Sequence, residues 1–308
     1  MTDGLIAELA HGLSRPQKEL SPKWFYDHRG SELFDQITRL PEYYLTRAER
    51  ALLEAYAPRL VAAFRPATLV ELGAGTAEKT RVLLDAMCTL GGAVAYVPID
   101  ISSEFLETAA DALREAYPSL EITPVAADIA EALQVPPDLG RPALFALLGS
   151  TIGNFRPARA VRLLRMVRSE MRDTDRFLMG VDLVKDPPVL EAAYNDGAGV
   201  TAAFNLNVLN VLNQEVGADF EPADFRHRAF YDPEKRRIEM HLVAERAVTA
   251  RIPGVGSLSL REGESLRTEL SHKYDRESVA ALFHEAGFTL EDWVAGEPGF
   301  ALSVGGRA

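Results

Sequence analysis

A turn that contains two glycines lies between an apolar segment and a helical pattern near residue 70. The segment reads Val70-Glu71-Leu72-Gly73-Ala74-Gly75-Thr76. This order predicts a buried strand, a turn and a helix N-terminus, where backbone without a Cβ can approach a ligand closely. Asp100 ends the next apolar run and could accept hydrogen bonds from ribose hydroxyls. Together the two features indicate a nucleotide-containing cofactor.

The third glycine of a dinucleotide fingerprint is absent from this turn. Glu78 stands three residues after Gly75, which disfavours NAD or FAD. No phosphate-binding G-x-x-x-x-G-K-[ST] pattern occurs in the chain either. The pattern E-x-G-x-G-T looks like the first motif of class I S-adenosylmethionine methyltransferases, whose cofactor has no pyrophosphate. Taken alone, the motif is also compatible with an ordinary strand–helix turn.

Composition narrows the class of partner. The chain has 308 residues, 47% of them hydrophobic, and a formal net charge of 33 − 45 = −12. The negative charge argues against nucleic acid or an anionic membrane as the main partner. Cys88 is the one cysteine, so no intrachain disulfide can form. The six histidines show no i, i+4 pair, so we expect no metal site. Neither a signal peptide nor a long apolar run is visible, and we expect a cytoplasmic protein.

Apolar runs alternate with amphipathic stretches between about residues 67 and 183. We expect buried parallel strands at 67–73, 93–99, 120–126, 143–149 and 176–183. We expect helices at Thr76–Met87, Ser102–Ala116, Ile129–Leu133 and Pro157–Arg172, with Ser102 as a cap and Pro157 in a first turn. The alternation predicts an α/β fold with a doubly wound, Rossmann-like sheet. Asp100, Asp128 and the 149–154 loop then fall at the carboxyl ends of the strands, where ligands bind.

The rest of the chain suggests a second domain. Asp275–Ala286 is a predicted helix, followed by predicted strands at Phe288–Trp293 and Phe300–Val304. Residues 189–273 interrupt the sheet with a helical stretch and a hairpin pattern at Phe230–Val248. We therefore predict a methyltransferase-like domain of residues 61–184 and 275–308. An α+β substrate-binding domain would comprise residues 1–60 and 185–274.

Six separated motifs resemble one family along nearly the whole chain. They are the segment K-W-F-Y-D-H-R-G-S-E-L at 23–33, L-P-E-Y-Y-L-T-R at 40–47, E-L-G-A-G-T-A-E-K-T at 71–80, L-L-G-S-T-I-G-N at 147–154, F-N-L-N-V-L at 204–209 and T-E-L-S-H-K-Y at 268–274. Together they closely resemble the L-histidine Nα-methyltransferases of ergothioneine biosynthesis. The terminal helix and hairpin resemble the usual end of a class I methyltransferase sheet.

The resemblance implies a set of site residues. Cofactor contacts would come from Gly73, Gly75, Lys79, Asp100, Asp128 and Ile129, the last of which is often aromatic in relatives. The α-amine and carboxylate of the amino acid would be held by Tyr43, Asn154 and Tyr194. The imidazole would meet Glu269 and Ser271, and the pocket would be lined by Tyr26, Phe204 and Met240.

Each role has a plainer alternative on sequence alone. Asp128 could cap the segment after it, Lys79 could be a solvated helix residue, and Asn154 could be a turn residue. Tyr43 and Tyr194 could be ordinary core residues. Glu269 and Ser271 are two apart and would share one face of a strand, where they could bind the two imidazole nitrogens or simply face solvent.

The resemblance implies trimethylation of the α-amine of free L-histidine to the betaine hercynine, with S-adenosylmethionine as methyl donor. Tyr43 could orient the amine and relay its proton to water. The resemblance also suggests a monomer. The alternatives are the same fold acting on another amino acid such as a tryptophan derivative, a nucleotide-binding oxidoreductase, and a regulator without activity. Retention of Glu269 and Ser271 speaks against the first of these.

Overall fold

The computed structural model describes residues 3–89, 94–101 and 103–308. The helices in this part of the chain are α1 (Asp3–Leu13), α2 (His28–Thr38), α3 (Leu45–Phe64), α4 (Thr80–Thr89), α5 (Ser103–Ala116), α6 (Pro157–Glu170), α7 (Pro187–Ala192), α8 (Val200–Val216) and α9 (Arg276–Ala286). The strands are β1 (Thr68–Leu72), β2 (Val94–Asp100), β3 (Leu120–Ile122), β4 (Val125–Ala126), β5 (Ala143–Leu147), β6 (Arg176–Asp182), β7 (Phe225–Asp232), β8 (Arg237–Ala244), β9 (Val248–Ile252), β10 (Gly256–Leu260), β11 (Ser265–His272), β12 (Phe288–Gly296) and β13 (Phe300–Arg307).

The chain divides into two compact units, which we name by their sheets. The small-sheet unit contains the described residues up to Tyr44 together with Lys185–Ser271. The large-sheet unit contains Leu45–Val184 and His272–Ala308. The predicted division differs from this one over residues 272–274 and over residues 45–60, which belong to α3. Leu53, Ala57 and Val61 of α3 are buried in the core of the large sheet, so this helix belongs with the sheet.

The large sheet has the order β12-β13-β6-β5-β1-β2-β3, with β4 also paired to β2. The pairings of β1 with β2 and β5, of β5 with β6, and of β2 with β3 and β4 are parallel. The terminal hairpin of β12 and β13 is antiparallel and joins the edge of β6. This topology confirms the predicted doubly wound sheet and its terminal hairpin.

Side chains on the two faces of the large sheet enter separate cores, because successive strand residues point in opposite directions. On one face, Val70 of β1 packs with residues of α6 and α9, such as Leu164 and Phe283. On the other face, Leu69 packs with residues of α3 and α4, such as Leu53 and Leu84. Burial on both faces explains why these strands are continuous apolar runs in the sequence.

Three local predictions differ from the structure. The predicted strand at 120–126 is split into β3 and β4, because Pro124 lies between them and has no N–H for the ladder. The predicted helix Ile129–Leu133 is wrong: residues 129–131 form a turn, and the prolines at 136 and 137 leave too short a segment to sustain a helix. Helix α4 begins at Thr80 rather than Thr76. The predicted cap Ser102 lies outside the described residues.

The small-sheet unit is built on three strands in the order β11-β8-β7. Strands β7 and β8 form the antiparallel hairpin that the pattern at Phe230–Val248 indicated, although the pairing starts earlier, at Phe225 with Ala244. A second hairpin joins β9 and β10. Helix α8 follows Gly199, whose φ of 75° closes the turn after α7, and it buries residues along most of its length.

No helix in the described part of the chain is long and apolar enough to cross a membrane.

Candidate active site

The turn after β1 is held in a conformation that glycine favours. Gly73 has a φ of 70° and Gly75 a φ of 51°. The N–H of Gly73 donates to the carbonyl of Ile99, the penultimate residue of β2, at 2.8 Å. A Cβ built on Gly75 would meet no atom within 4 Å. The turn therefore stays tied to the sheet while its outer side faces open space.

Asp100 lies directly beside this turn. Its Oδ2 accepts a hydrogen bond from the N–H of Gly75 at 3.0 Å. Its carbonyl accepts one from Ala127 at 2.9 Å, which brings Asp128 to the neighbouring strand end. The Cδ1 atom of Ile129 lies 4.0 Å from the position of a Cβ on Gly73. The structure thus gathers these predicted cofactor residues at the carboxyl ends of β1, β2 and β4.

These residues fit S-adenosylmethionine. A carboxylate at the end of β2 suits a ribose diol, and the open side of the turn admits a ligand close to the backbone. Asp128 also has the plainer role that the sequence left open, since its Oδ1 accepts from the N–H of Ala130 at 2.9 Å. The second oxygen of this carboxylate is a further acceptor for a ligand.

Lys79 is the remaining predicted cofactor residue, and it forms an ion pair. Its ammonium group contacts the carboxylate of Glu49 on α3. The carboxylate of Glu49 is fully buried and also accepts from the N–H of Gly149. Glu49 was not predicted from the sequence, because nothing in a helical pattern marks one acid among several as buried.

Glu71 is a second buried acid in the large-sheet unit. Both of its carboxylate oxygens accept from the hydroxyl of Thr80, at 2.7 and 2.6 Å, and Tyr96 donates to one of them. Burial raises the pKa of Glu71 to about 7, although the hydrogen bonds from Thr80 and Tyr96 oppose this shift. The acid of the E-x-G-x-G-T motif therefore ties β1 to β2 and to the start of α4.

Asn154 ends a short 3₁₀ turn that follows β5. The turn begins with Gly149 and Ser150, both with positive φ, and the Ser150 hydroxyl accepts from the N–H of Asp182 at 2.9 Å. The carbonyl of Gly153 lies 2.8 Å from Nδ1 of His272. Asn154 is half-buried, and its side-chain amide makes no hydrogen bond among the described residues. The turn is anchored at both ends and presents an amide that can donate and accept.

Aromatic rings link most of the predicted substrate residues of the small-sheet unit. Tyr26 meets Phe204 edge to face, with 6.1 Å between ring centroids. Phe34 lies 5.9 Å from Tyr26 and 6.4 Å from Tyr43, and Tyr43 lies 6.3 Å from Tyr194. Phe34 is not among the residues predicted for the site, although it follows directly on the first family motif. The rings form one continuous group from Tyr26 to Tyr194.

Strand β11 carries the two residues predicted to bind the imidazole. Glu269 and Ser271 both lie within β11, so their side chains are on the same side of the strand. The hydroxyl of Tyr194 donates to Oγ of Ser271 at 2.8 Å. Met240 is buried on β8, the strand beside β11. The structure therefore connects Tyr43, Tyr194 and Ser271 directly, whereas Asn154 belongs to the large-sheet unit.

A buried hydrogen-bond network supports Tyr194 from the other side. The Asn205 amide nitrogen donates to Nδ1 of His227 at 2.9 Å and to the His241 carbonyl at 3.1 Å. The Asn205 amide oxygen accepts from the Thr268 hydroxyl at 2.6 Å. If the Asn205 amide were flipped, its oxygen would face the His241 carbonyl oxygen, so the amide nitrogen is the donor and Nδ1 of His227 the acceptor. Nε2 of His227 then carries the proton and donates to the Tyr194 carbonyl at 2.8 Å. His227 therefore has a structural role in this network.

Among the described residues, no group of histidine, cysteine, aspartate or glutamate side chains could hold a metal ion.

The fold and this arrangement of residues define a class I S-adenosylmethionine-dependent methyltransferase. A methyltransferase of this kind from Clostridium acetobutylicum superposes with a TM-score of 0.52 at 12% identity, over 90% of this chain and 98% of that one. The model of the histidine-specific, S-adenosylmethionine-dependent methyltransferase family matches residues 5–304. The chain belongs to this family, which confirms the resemblance drawn from the motifs.

Two relatives extend the comparison. A histidine N-alpha-methyltransferase of Mycolicibacterium smegmatis is 44% identical over 306 residues, which cover 98% of this chain and 95% of that protein. Ergothioneine biosynthesis protein 1 of Neurospora crassa is 30% identical over 299 residues, which cover 91% of this chain and 32% of that longer protein.

Replacement of Glu71 by glutamine should change how stability depends on pH. The pKa of Glu71 is about 7 in the folded chain against 4.5 as its ordinary value. Ionisation therefore favours the unfolded chain, and the wild type loses stability between about pH 4.5 and 7. Relative to Glu71→Gln, we expect a loss of roughly 3 kcal/mol over this interval, measured by urea unfolding of both proteins at several pH values. A difference that stays constant with pH would contradict the assignment.

Replacement of Asn205 by leucine should destabilise the small-sheet unit. The change removes the Asn205 donor from Nδ1 of His227 and from the His241 carbonyl, and it leaves the Thr268 hydroxyl with only its weaker bond to the Met240 carbonyl. We expect this to cost about 1–3 kcal/mol in urea unfolding. Asn210→Leu is the matched control, because Asn210 is exposed on the same helix and its replacement should change stability by less than about 0.5 kcal/mol. Nitrogen-15 NMR of the imidazole should show the Nε2–H tautomer of His227 in the wild type. The Nδ1–H tautomer would overturn the network as drawn.

Proposed function

We propose that this enzyme transfers three methyl groups from S-adenosylmethionine to the α-amine of free L-histidine. The product would be the betaine hercynine, and the reaction would be the first step of ergothioneine biosynthesis. The proposal is based on the position of Glu269 and Ser271 on the same side of β11, where Ser271 is hydrogen-bonded to Tyr194. The identity to a histidine N-alpha-methyltransferase over nearly the full chain supports the same substrate.

The two residues on β11 complement a neutral imidazole. Such a ring has one N–H donor and one bare nitrogen acceptor. The Glu269 carboxylate would accept from the N–H. Because the Tyr194 hydroxyl donates to Oγ of Ser271, the hydroxyl of Ser271 would act toward the second nitrogen as the donor. An apolar side chain in this place would shield the Glu269 carboxylate from water without offering it a donor, which is costly and disfavours such substrates.

The remaining groups of the amino acid would be held by residues assigned through the family. Tyr43, Tyr194 and Asn154 would hold the α-amine and carboxylate, and the side chains of Tyr26, Phe204 and Met240 would line the pocket. We propose on this basis that the small-sheet unit carries the specificity for the substrate. The large-sheet unit would bind the cofactor through Gly73, Gly75, Lys79, Asp100, Asp128 and Ile129. Action as a monomer in the cytoplasm stays a prediction.

The chain's task in the reaction is mainly one of orientation. When bound, S-adenosylmethionine supplies an electrophilic methyl group and its own leaving group. The attacking amine must be neutral, and a free α-amine in peptides has a pKa of about 8, which a nearby sulfonium cation would lower. Tyr43 would orient the lone pair and pass the released proton to water. Because the amine grows with each methylation, the aromatic group around Tyr43 must leave space beside it.

A competition assay tests the proposed substrate. The purified enzyme is incubated with S-adenosylmethionine and an equimolar mixture of the free amino acids, and the products are analysed by mass spectrometry. We expect histidine alone to gain one, two and three methyl groups. Methylation of tryptophan or another amino acid instead would leave the methyltransferase class intact and overturn the substrate assignment. Absence of any product would contradict the proposed reaction on free amino acids.

Replacement of Glu269 by alanine should separate binding of the two substrates. We expect histidine affinity to fall by about 100-fold in calorimetric titrations, because a charge-assisted hydrogen bond of about 1.5–3 kcal/mol is lost. Affinity for S-adenosylhomocysteine should change less than twofold. Glu262→Ala is the control, since Glu262 is exposed in the turn before β11 and should affect neither ligand. Equal losses for both ligands in Glu269→Ala would sink the assignment.

A further inference from the structure

Glu49 is a charged group in an unusual place. It lies in α3 with 0% of its surface exposed, and α3 packs its apolar residues into the core of the large sheet. A carboxylate buried in this way is stable only when donors compensate for the lost water. Two donors do so: the N–H of Gly149, at 2.8 and 2.9 Å from the two carboxylate oxygens, and the ammonium group of Lys79.

Two glycines make room for this carboxylate and its partner. A Cβ on Gly180, in the middle of β6, would lie 1.9 Å from Oε1 of Glu49. A Cβ on Gly149 would lie 3.3 Å from Nζ of Lys79, and the φ of 76° at Gly149 disfavours any larger residue. The absence of a Cβ at Gly180 and Gly149 therefore leaves space for the carboxylate of Glu49 and the ammonium group of Lys79.

The two partners of Glu49 belong to different motifs. Lys79 ends the glycine-containing turn, immediately before α4 begins at Thr80. Gly149 opens the turn that ends at Asn154. Glu49 thus joins the cofactor turn to the turn that carries Asn154, and all of these residues lie within the large-sheet unit.

We propose that Glu49 is a positioning residue for the methionyl end of S-adenosylmethionine. It directs the ammonium group of Lys79 and fixes the start of the Gly149 turn before the cofactor arrives. This inference rests on the proposed function, in which Lys79 binds the cofactor, and it assigns that contact to the carboxylate of the methionyl end. An ammonium group has three donors, so the bond to Glu49 leaves Lys79 able to donate to a second carboxylate.

Two effects of removing the Glu49 charge oppose each other. The negative charge beside Lys79 repels a cofactor carboxylate, so its loss should tighten binding by Coulomb's law. Its loss also frees a long side chain that must then be ordered on binding, and it leaves the Gly149 amide with a weaker acceptor. The proposal requires that the positional effect is the larger of the two.

Calorimetric titration with two probes tests the proposal. S-adenosylhomocysteine carries the amino-acid end of the cofactor, whereas 5′-methylthioadenosine lacks it. For Glu49→Gln we expect the Kd of S-adenosylhomocysteine to rise about tenfold and that of 5′-methylthioadenosine to change less than twofold. Glu54→Gln is the matched control, because Glu54 pairs with Arg50 on the exposed side of the same helix and should leave both constants unchanged.

A double mutant identifies the route of the effect. Lys79→Met should weaken S-adenosylhomocysteine about as much as Glu49→Gln, and the double mutant should be no weaker than Lys79→Met, because the two residues act as one unit. If Glu49→Gln fails to fold in a thermal melt, Glu49→Asp tests the same point, since it keeps the charge and draws the carboxylate away from Lys79 and Gly149. It should weaken S-adenosylhomocysteine and spare 5′-methylthioadenosine.

Three results would overturn the proposal. These are unchanged or tighter binding of S-adenosylhomocysteine by Glu49→Gln, an equal loss for both probes, and full additivity in the double mutant. Failure of the wild type to bind S-adenosylhomocysteine at all would instead contradict the cofactor assignment, so the two failures are distinguishable.

Discussion

The conformation of the turn after β1 is the constraint that determines where the predicted cofactor residues lie. Gly73 and Ala74 must leave the sheet while their N–H groups still donate to the carbonyl of Ile99 at the end of β2. The turn meets both demands with a positive φ at Gly73 and at Gly75, which glycine adopts without steric cost. The same geometry brings the Gly75 amide to Asp100, whose carbonyl in turn holds Ala127 beside it. One backbone requirement therefore gathers residues from three strand ends.

Buried acids fasten this arrangement. Glu49, Glu71 and Asp182 are all buried in the large-sheet unit, and each one meets donors from an element distant in sequence. Asp182 at the end of β6 pairs with the ammonium group of Lys273 at 2.8 Å, with neither side chain exposed. Such pairs contribute little net stability, because desolvation offsets most of the attraction, but breaking one leaves a buried charge. Their effect is to penalise every other arrangement of these segments.

The sequence predicted the sheet well and its supports poorly. Buried parallel strands are continuous apolar runs, so β1, β2, β5 and β6 are visible in the pattern. The turn at 129–131 was mistaken for a helix because five residues are too few to distinguish the two by periodicity. The roles of Glu49 and Asn205 were not predicted for another reason. Their partners lie 30 to 100 and 22 to 63 residues away, and no local pattern records such a pairing.

In the small-sheet unit, hydrogen bonds hold β11 from both of its sides. Successive residues of β11 alternate in direction, so Thr268 points away from the side that carries Glu269 and Ser271. Thr268 is bonded to Asn205, which fixes His227, and His227 in turn holds the backbone of Tyr194. The hydroxyl of Tyr194 returns to Ser271. A closed circuit of residues therefore holds the strand: it leaves one face of β11 at Thr268 and returns to the other face at Ser271. Because a misplaced buried polar group loses most of its interaction energy, this circuit gives β11 the rigidity that the proposed discrimination between an imidazole and an apolar side chain would require.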